Sequence, residues 1–319
     1  MKALICLSKY QDWLEAYSVL DYYKSIDKAK ILYLEDKRNN ESSVKSLYDS
    51  FKSHITFEYQ GVNCKKEYFS LIGSEIETLG RGDVVATQFV KYRDIWKFCN
   101  KAKKKGIITV HLSETLPDSF GLIGYRLGFR WVKRDFLGIL KNIISIPIMY
   151  IYALTHKPDV CFYNLYPTIN NVFVKETRKA SVPSLTQSKF DVLRKLMGQE
   201  QRSLIIGGFG YDSKKIAEFY HLKKYVATTK GLSIIIDGEE HPLIDYINAE
   251  DVLIGGYANR VIGYNSTVIG WAYRFGNIEI DCYEAEGLNK CYGRFGYFSR
   301  KTFKRCGIQL KPSNPAFMN

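Results

Sequence analysis

Short apolar runs recur along this chain, and between them apolar residues fall three and four positions apart. The first pattern belongs to strands buried on both faces, the second to helices with one apolar stripe. Ala3 to Leu7, Lys30 to Leu34, Gly82 to Thr87 and Ile107 to Leu112 are predicted strands, and Ile55 to Tyr59 joins them by its alternation. Tyr10 to Tyr23, Glu41 to Lys52, Lys65 to Leu79 and Tyr92 to Lys105 are predicted helices, the last ending at Gly106 as a C-cap. Val160 to Tyr163 is one more short strand. Strand and helix in alternation make a mostly parallel sheet, because parallel neighbours need crossover connections.

The same pattern resumes between Arg202 and Gly276. Ser203 to Ile206 is a buried run that breaks at Gly207, Gly208 and Gly210 and reaches Asp212 where a helix begins. A second run, Leu232 to Ile236, is closed by Asp237-Gly238-Glu239-Glu240-His241-Pro242. The apolar runs Asp251 to Ile254 and Arg260 to Gly263 then precede Asn265-Ser266-Thr267, where a further helix opens. Thr177 to Gln201 holds Pro183, several serines and a helical patch at Phe190 to Met197, and is the expected connection. The expected division is a first α/β domain over 1–180, a second over 181–300, and a tail over 301–319 packing back across the first.

Several residues in these loops suit phosphate or proton chemistry. His241 is stiffened by Pro242, which restricts the backbone before it, and an imidazole near neutral pH can donate to a departing phosphate. An ordinary turn with a surface histidine is the structural alternative. Gly208 and Gly210 let backbone approach a ligand, and Asp212 could take a proton from a hydroxyl; its structural alternative is a helix N-cap, with Ser213 an equal candidate. Asn265, Ser266 and Thr267 place hydroxyls and free N–H groups at a helix start, which suits a phosphate as well as plain capping. Glu114, beyond the strand ending at Leu112, is a second candidate acid or else a salt-bridged loop residue. Gly208-x-Gly210 lacks the third glycine of a dinucleotide fingerprint, so NAD is not expected.

Composition narrows the setting. The 319 residues leave room for two domains, and 46% hydrophobic with 25% charged residues is a globular balance. A formal charge of +13 implies an anionic partner; on charge alone nucleic acid, an acidic membrane and a sugar nucleotide all qualify. The seven cysteines are scattered without a Cys-x-x-Cys pair, which points to a reducing compartment and no structural zinc. The apolar run at Met1 to Leu7 is too short for a signal peptide. Phe136 to Leu154 is largely apolar but holds Lys141, Asn142 and Pro147, and follows Arg126, Arg130, Lys133 and Arg134. It is too interrupted to span a bilayer, and two readings stand: a basic amphipathic face on an anionic membrane, or a buried helix flanked by solvated charges.

Taken in order, a strand with a Gly-rich loop and Asp212, a second strand with His241-Pro242, and Ser266-Thr267 opening a helix resemble bacterial GT-B sialyltransferases, closest to those acting on lipo-oligosaccharide or capsular polysaccharide. Glu114-Thr115-Leu116 looks like that family's acidic loop, and Pro158 to Asn164 like the strand before its interdomain segment. The chain departs from the family pattern in two places. Ser113-Glu114-Thr115 has one acid and no glycine, and Glu239-Glu240 stand where the family has a basic residue and a proline.

The resemblance implies two Rossmann-like domains facing a central cleft and transfer of sialic acid from CMP-sialic acid to a surface glycan by a single inverting displacement. It implies Asp212 or Glu114 as base, His241 at the departing CMP, and Gly208, Gly210, Pro242, Asn265, Ser266 and Thr267 as binding residues. No cofactor and no metal are expected, in keeping with the lack of an Asp-x-Asp motif. The expected setting is cytoplasmic, peripheral at the inner membrane face, with a homodimer and no nucleic acid. One alternative is a GT-B enzyme using a UDP- or GDP-sugar. Another is a non-catalytic basic protein binding nucleic acid or membrane, against which the lysines are spread, with a single run at Lys101 to Lys105.

Overall fold

The computed structural model describes residues 1–8, 12–36, 40–88, 93–112, 136–163, 174–207, 211–228, 233–242, 247–264, 266–284, 303–304 and 306–318. Among the described residues, contacts divide the chain into two compact units: the second takes 136–139, the first turn of a helix that continues in the first unit, and everything from Ser184 on, and the first takes the rest. The first holds β1 (Lys2–Leu7), α1 (Asp12–Tyr22), β2 (Lys28–Leu34), α2 (Glu41–Leu47), β3 (Thr56–Val62), α3 (Lys65–Thr78), β4 (Val84–Thr87), α4 (Arg93–Lys104) and β5 (Ile108–His111). After α5 (Phe136–Thr155) come β6 (Val160–Tyr163) and β7 (Glu176–Lys179). Its seven strands lie in the order β3-β2-β1-β4-β5-β6-β7 and every neighbouring pair is parallel.

Burial explains why these segments become strands and helices. β1 is buried from Ala3 to Leu7, so both of its faces need apolar residues. Leu4, Cys6, Leu32 and Val85 from the strands pack with Tyr68, Ile72 and Ile76, which fall four apart on α3, and with Phe98 and Ala102 of α4. Gly106 ends the α4 turn at φ +71°, a conformation that favours glycine.

The second unit holds α6 (Gln187–Met197), β8 (Arg202–Ile206), α7 (Ser213–Phe219), β9 (Tyr225–Thr228), β10 (Ser233–Ile236), β11 (Glu239–Pro242), α8 (Ala249–Ile254), β12 (Ala258–Tyr264), α9 (Thr267–Phe275), β13 (Glu279–Tyr283) and β14 (Leu310–Lys311). The sheet order is β11-β10-β9-β8-β12-β13-β14. β9, β8, β12, β13 and β14 are parallel, while β10 runs antiparallel to both its neighbours. Both units are thus α/β and Rossmann-like.

Four features differ from the pattern-based expectation. The start of the expected connection, Thr177 to Lys179, belongs to the edge strand β7; its polar sequence carries no apolar signal because an edge needs none. Asp237 to Pro242 is no simple closing loop, since Asp237 and Gly238 adopt positive φ and turn the chain into β11. Asp251 to Ile254 lies in the short helix α8, started by a capping box between Asn248 and Asp251. The described tail is held by the second unit: Leu310 and Lys311 pair with Cys282 and Tyr283, and Phe317 enters the core of the second sheet.

One buried ion pair ties two of these helices together. Lys189 Nζ on α6 lies 2.7 Å from Asp251 Oδ2 on α8, with side chains 5% and 1% exposed. Asp251 Oδ2 also accepts the Asn248 backbone N–H at 2.9 Å. Removing one partner leaves a desolvated charge, so Lys189→Ala is expected to cost about 3–5 kcal/mol in urea denaturation. The Lys189→Met/Asp251→Leu pair is expected to cost less than that single change, because it removes both charges.

Candidate functional site

In a parallel sheet the loops after the strands' carboxyl ends are where ligands bind. In the second unit those ends are brought level by register. Gly263 at the end of β12 pairs with Ile206 of β8 and with Cys282 of β13, and Cys282 pairs with Leu310. A Cβ on Gly263 would lie 2.6 Å from the Ile206 Cβ and 2.9 Å from its backbone oxygen. Only glycine lets β12 approach β8 this closely where their loops leave the sheet.

Asp212 follows β8 and is the N-cap of α7. Its Oδ1 accepts the backbone N–H groups of Lys214 at 2.7 Å and Lys215 at 3.4 Å, so the cap falls to Asp212 and not to Ser213. Ser266 follows β12 and is the N-cap of α9, but its hydroxyl makes no capping hydrogen bond. The Ser266 Oγ is buried and has no hydrogen-bond partner among the described residues. A buried hydroxyl left without a partner costs free energy, so it suits a ligand atom arriving there. Thr267 begins α9, and its backbone N–H is one of the orphan donors at the helix start.

The tail builds the floor beneath Asp212. The Asp212 N–H donates to the Phe317 carbonyl at 2.7 Å, and Lys215 Nζ donates to the Met318 carbonyl at 2.6 Å. Phe317 is fully buried among Tyr211, Phe219, Tyr220 and Tyr283, with ring centroids 5.0 to 6.2 Å away. Tyr211 stacks parallel on Tyr264, and its hydroxyl donates to the Glu284 carbonyl, linking the loops after β8, β12 and β13. Burial, with Glu250 adding to it, pushes the Tyr264 hydroxyl up to about 12, so it stays protonated at neutral pH. Asp281 anchors the tail strand electrostatically through Lys311 and Arg260.

His241 and Pro242 reach the same carboxyl edge by another route. His241 pairs with Ile234, which pairs with Thr228 at the end of β9. The hairpin therefore sets His241 level with the other strand ends. Three strand spacings separate it from β8 and four from β12, roughly 14 and 19 Å at the usual interstrand distance. Asp212 and Ser266 follow adjacent strands; His241 is not their neighbour. A ligand engaging both Ser266 and His241 must extend across several strands. Along β11 side chains alternate, and Glu240 turns to the Ser233 hydroxyl on the face opposite His241. Glu114, Gly208, Gly210 and Asn265 lie outside the described residues, as does the Thr267 side chain.

The first sheet carries a polar cluster that its sequence did not announce. β1 and β4 lie side by side where the strand order reverses, the position at which such sheets take ligands. There Asp12 is buried and accepts from the Ser8 backbone N–H at 2.8 Å, the Ser8 hydroxyl at 3.1 Å and the Gln88 amide. Gln88 is 1% exposed, and its Oε1 has no partner among the described residues. The available signal was a polar residue directly after each of two buried strands, but its meaning depends on strand order. Among the described residues no group of three or more His, Cys, Asp or Glu side chains could hold a metal ion.

An α/β-galactoside α-2,3-sialyltransferase from the luminous marine bacterium Photobacterium phosphoreum has a similar structure, with a TM-score of 0.51 and 10% identity over 97% of each chain. The fold is GT-B-like. A UDP-GlcNAc 2-epimerase from Neisseria meningitidis superposes less well, with a TM-score of 0.48 and 11% identity over 97% of this chain and 95% of that one, too low to carry an inference. No protein-family model matches the chain, and no curated protein sequence does.

Within this GT-B-like fold the tail anchor is open to test. Burial raises the Asp281 carboxyl, but hydrogen bonds from Lys311 and Arg260 outweigh it and hold the group below its ordinary 3.8. The folded chain thus binds this proton less readily than the unfolded one. The contribution is full above the ordinary value and is lost as pH falls through the lower folded value. Wild type is expected to lose thermal stability more steeply than Asp281→Asn between about pH 5 and pH 2, followed by melting temperature. Phe317→Ala, which empties the aromatic cluster, is expected to destabilise by about 3–5 kcal/mol in denaturant titration.

Proposed function

We propose that the protein is a glycosyltransferase that moves sialic acid from CMP-sialic acid to a terminal sugar of a bacterial surface glycan, capsule or lipo-oligosaccharide, with inversion. The observation that carries this reading is the unpartnered Ser266 hydroxyl at the start of α9, one strand from the Asp212 loop at a sheet's carboxyl edge. A hydroxyl and open N–H groups at a helix start suit a phosphate oxygen. The GT-B-like fold and the motif order in the sequence support the same reading.

In the proposed reaction an acceptor hydroxyl oxygen bonds to the anomeric carbon of sialic acid while the bond from that carbon to the phosphate oxygen of CMP breaks. The bonding pair leaves with CMP, and the hydroxyl proton passes to a carboxylate, Asp212 first and Glu114 second. Ser266 and Thr267, with Asn265, hold the phosphate, and Gly208 and Gly210 admit it close to backbone. His241, its backbone restricted by Pro242, donates to the CMP from several strands away, which an extended nucleotide sugar permits. Groups that meet the developing phosphate charge take over work that a metal would otherwise do.

Release of CMP from CMP-sialic acid, with candidate glycan acceptors present, tests this. Wild type is expected to turn over. His241→Ala should slow release by about 100-fold or more. Ser266→Ala should cost about 10- to 100-fold, the worth of a hydrogen bond to a charged group. Turnover of a UDP- or GDP-sugar with none of CMP-sialic acid would overturn the donor assignment and leave the architecture standing.

A further inference from the structure

Helix α5 presents an apolar stripe to solvent. Phe136, Leu137, Leu140, Ile143, Ile144 and Ile151 are each more than half exposed, Leu137 reaching 75%. At about 100° per residue, Phe136, Leu140, Ile143, Ile144 and Ile151 fall within roughly a 100° arc, with Leu137 beside it. Gly138 projects from the other side and is buried, so the stripe is one face of a helix seated by the opposite face. These positions exclude the buried-helix reading of Phe136 to Leu154 for the side chains described. Exposed singly such residues need no explanation, but six on one helix face, five of them within nine residues, mark an interaction surface.

The charge around the stripe says what covers it. Lys141 lies exposed at its edge. From Arg126 to Lys157 the sequence has six basic residues, Arg126, Arg130, Lys133, Arg134, Lys141 and Lys157, against one acid, Asp135. Lys133 and Arg134 stand only three and two residues before Phe136 in the sequence. Tyr125, Phe129 and Trp131 are interleaved with these charges, the residue types that settle at a lipid–water boundary. An apolar stripe edged with lysine, in a segment whose sequence is rich in arginine and lysine, is the pattern of a helix lying in an anionic interface. Among the described residues no helix is long and apolar enough to cross a membrane, and Pro147 within α5 removes one N–H donor from its ladder.

We infer that α5 docks the protein flat on an anionic phospholipid bilayer, its Phe136–Ile151 stripe entering the acyl boundary and the neighbouring basic residues meeting lipid phosphates. A second copy of the chain fits less well, because an isologous contact would bring the same basic surroundings together. The inference stands on this helix and its charge, apart from any transferase activity.

Vesicle sedimentation tests it, using vesicles of 30 mol% phosphatidylglycerol in phosphatidylcholine beside pure phosphatidylcholine. Wild type should bind the anionic vesicles at least 10-fold more tightly than the neutral ones, and less tightly as salt rises. Ile143→Glu/Ile144→Glu should lose binding by 10-fold or more while keeping its melting temperature, since both side chains are already in water. Leu140→Gln, which adds no charge, should weaken binding by a smaller factor in the same direction. Absence of anionic-vesicle binding, or binding that the double variant retains, overturns the inference. So does a dimer in light scattering that the double variant dissociates, since a second copy would then be the occupant.

Discussion

The close approach of β12 to β8 at Gly263 is the constraint on which the second unit's working edge depends. Parallel pairing fixes which strand ends are level, and the missing side chain at Gly263 lets the two central strands meet where their loops leave the sheet. From that pairing follow the positions of Asp212 and Ser266, each the N-cap of the helix that comes after one of these neighbouring strands. They differ in what they satisfy. Asp212 spends one carboxylate oxygen on its own helix, whereas Ser266 leaves its hydroxyl buried and unmatched. Asp212 thus has partners within its own helix, and the Ser266 hydroxyl has none among the described residues.

The edge is held from below by the end of the chain. Phe317 fills an aromatic pocket formed by residues of β8's loop, α7 and β13, and two backbone carbonyls of the tail receive the Asp212 N–H and the Lys215 ammonium. Lys311 adds a charged clasp to Asp281, shared with Arg260. Packing and ion pairing thus act on the same short segment, and the loops that would meet a ligand rest on it. Buried cysteines take no part: burial pushes the Cys282 thiol up to about 12 and Cys99 up to about 11, which keeps both as inert apolar fillers.

The central strands of both units were legible because a strand covered on both faces must be continuously apolar, as Ala3 to Leu7 and Leu204 to Ile206 are. Helix starts were legible where a capping residue stood before an apolar stripe, and Asp212 does cap α7. Glu176 to Lys179 was not, because an edge strand facing solvent needs no apolar residues. Nor was β11 (Glu239–Pro242), whose polar sequence gives no strand pattern, although Asp237-Gly238, both at positive φ, is a dipeptide that favours the hairpin turn before it.

By itself the sequence determined the α/β alternation, the two-unit scale, the positive charge and the residue types available at each strand end, since all of these depend on local pattern and composition. Tertiary structure alone decided which strand ends are neighbours. It put Ser266 one strand from Asp212 and His241 four strands from Ser266. It drew the tail into the second unit and left the α5 stripe in solvent. The physical reason is that strand order, burial and hydrogen-bond satisfaction are properties of pairs of segments distant in the chain, and no residue carries its partner's position in its own identity.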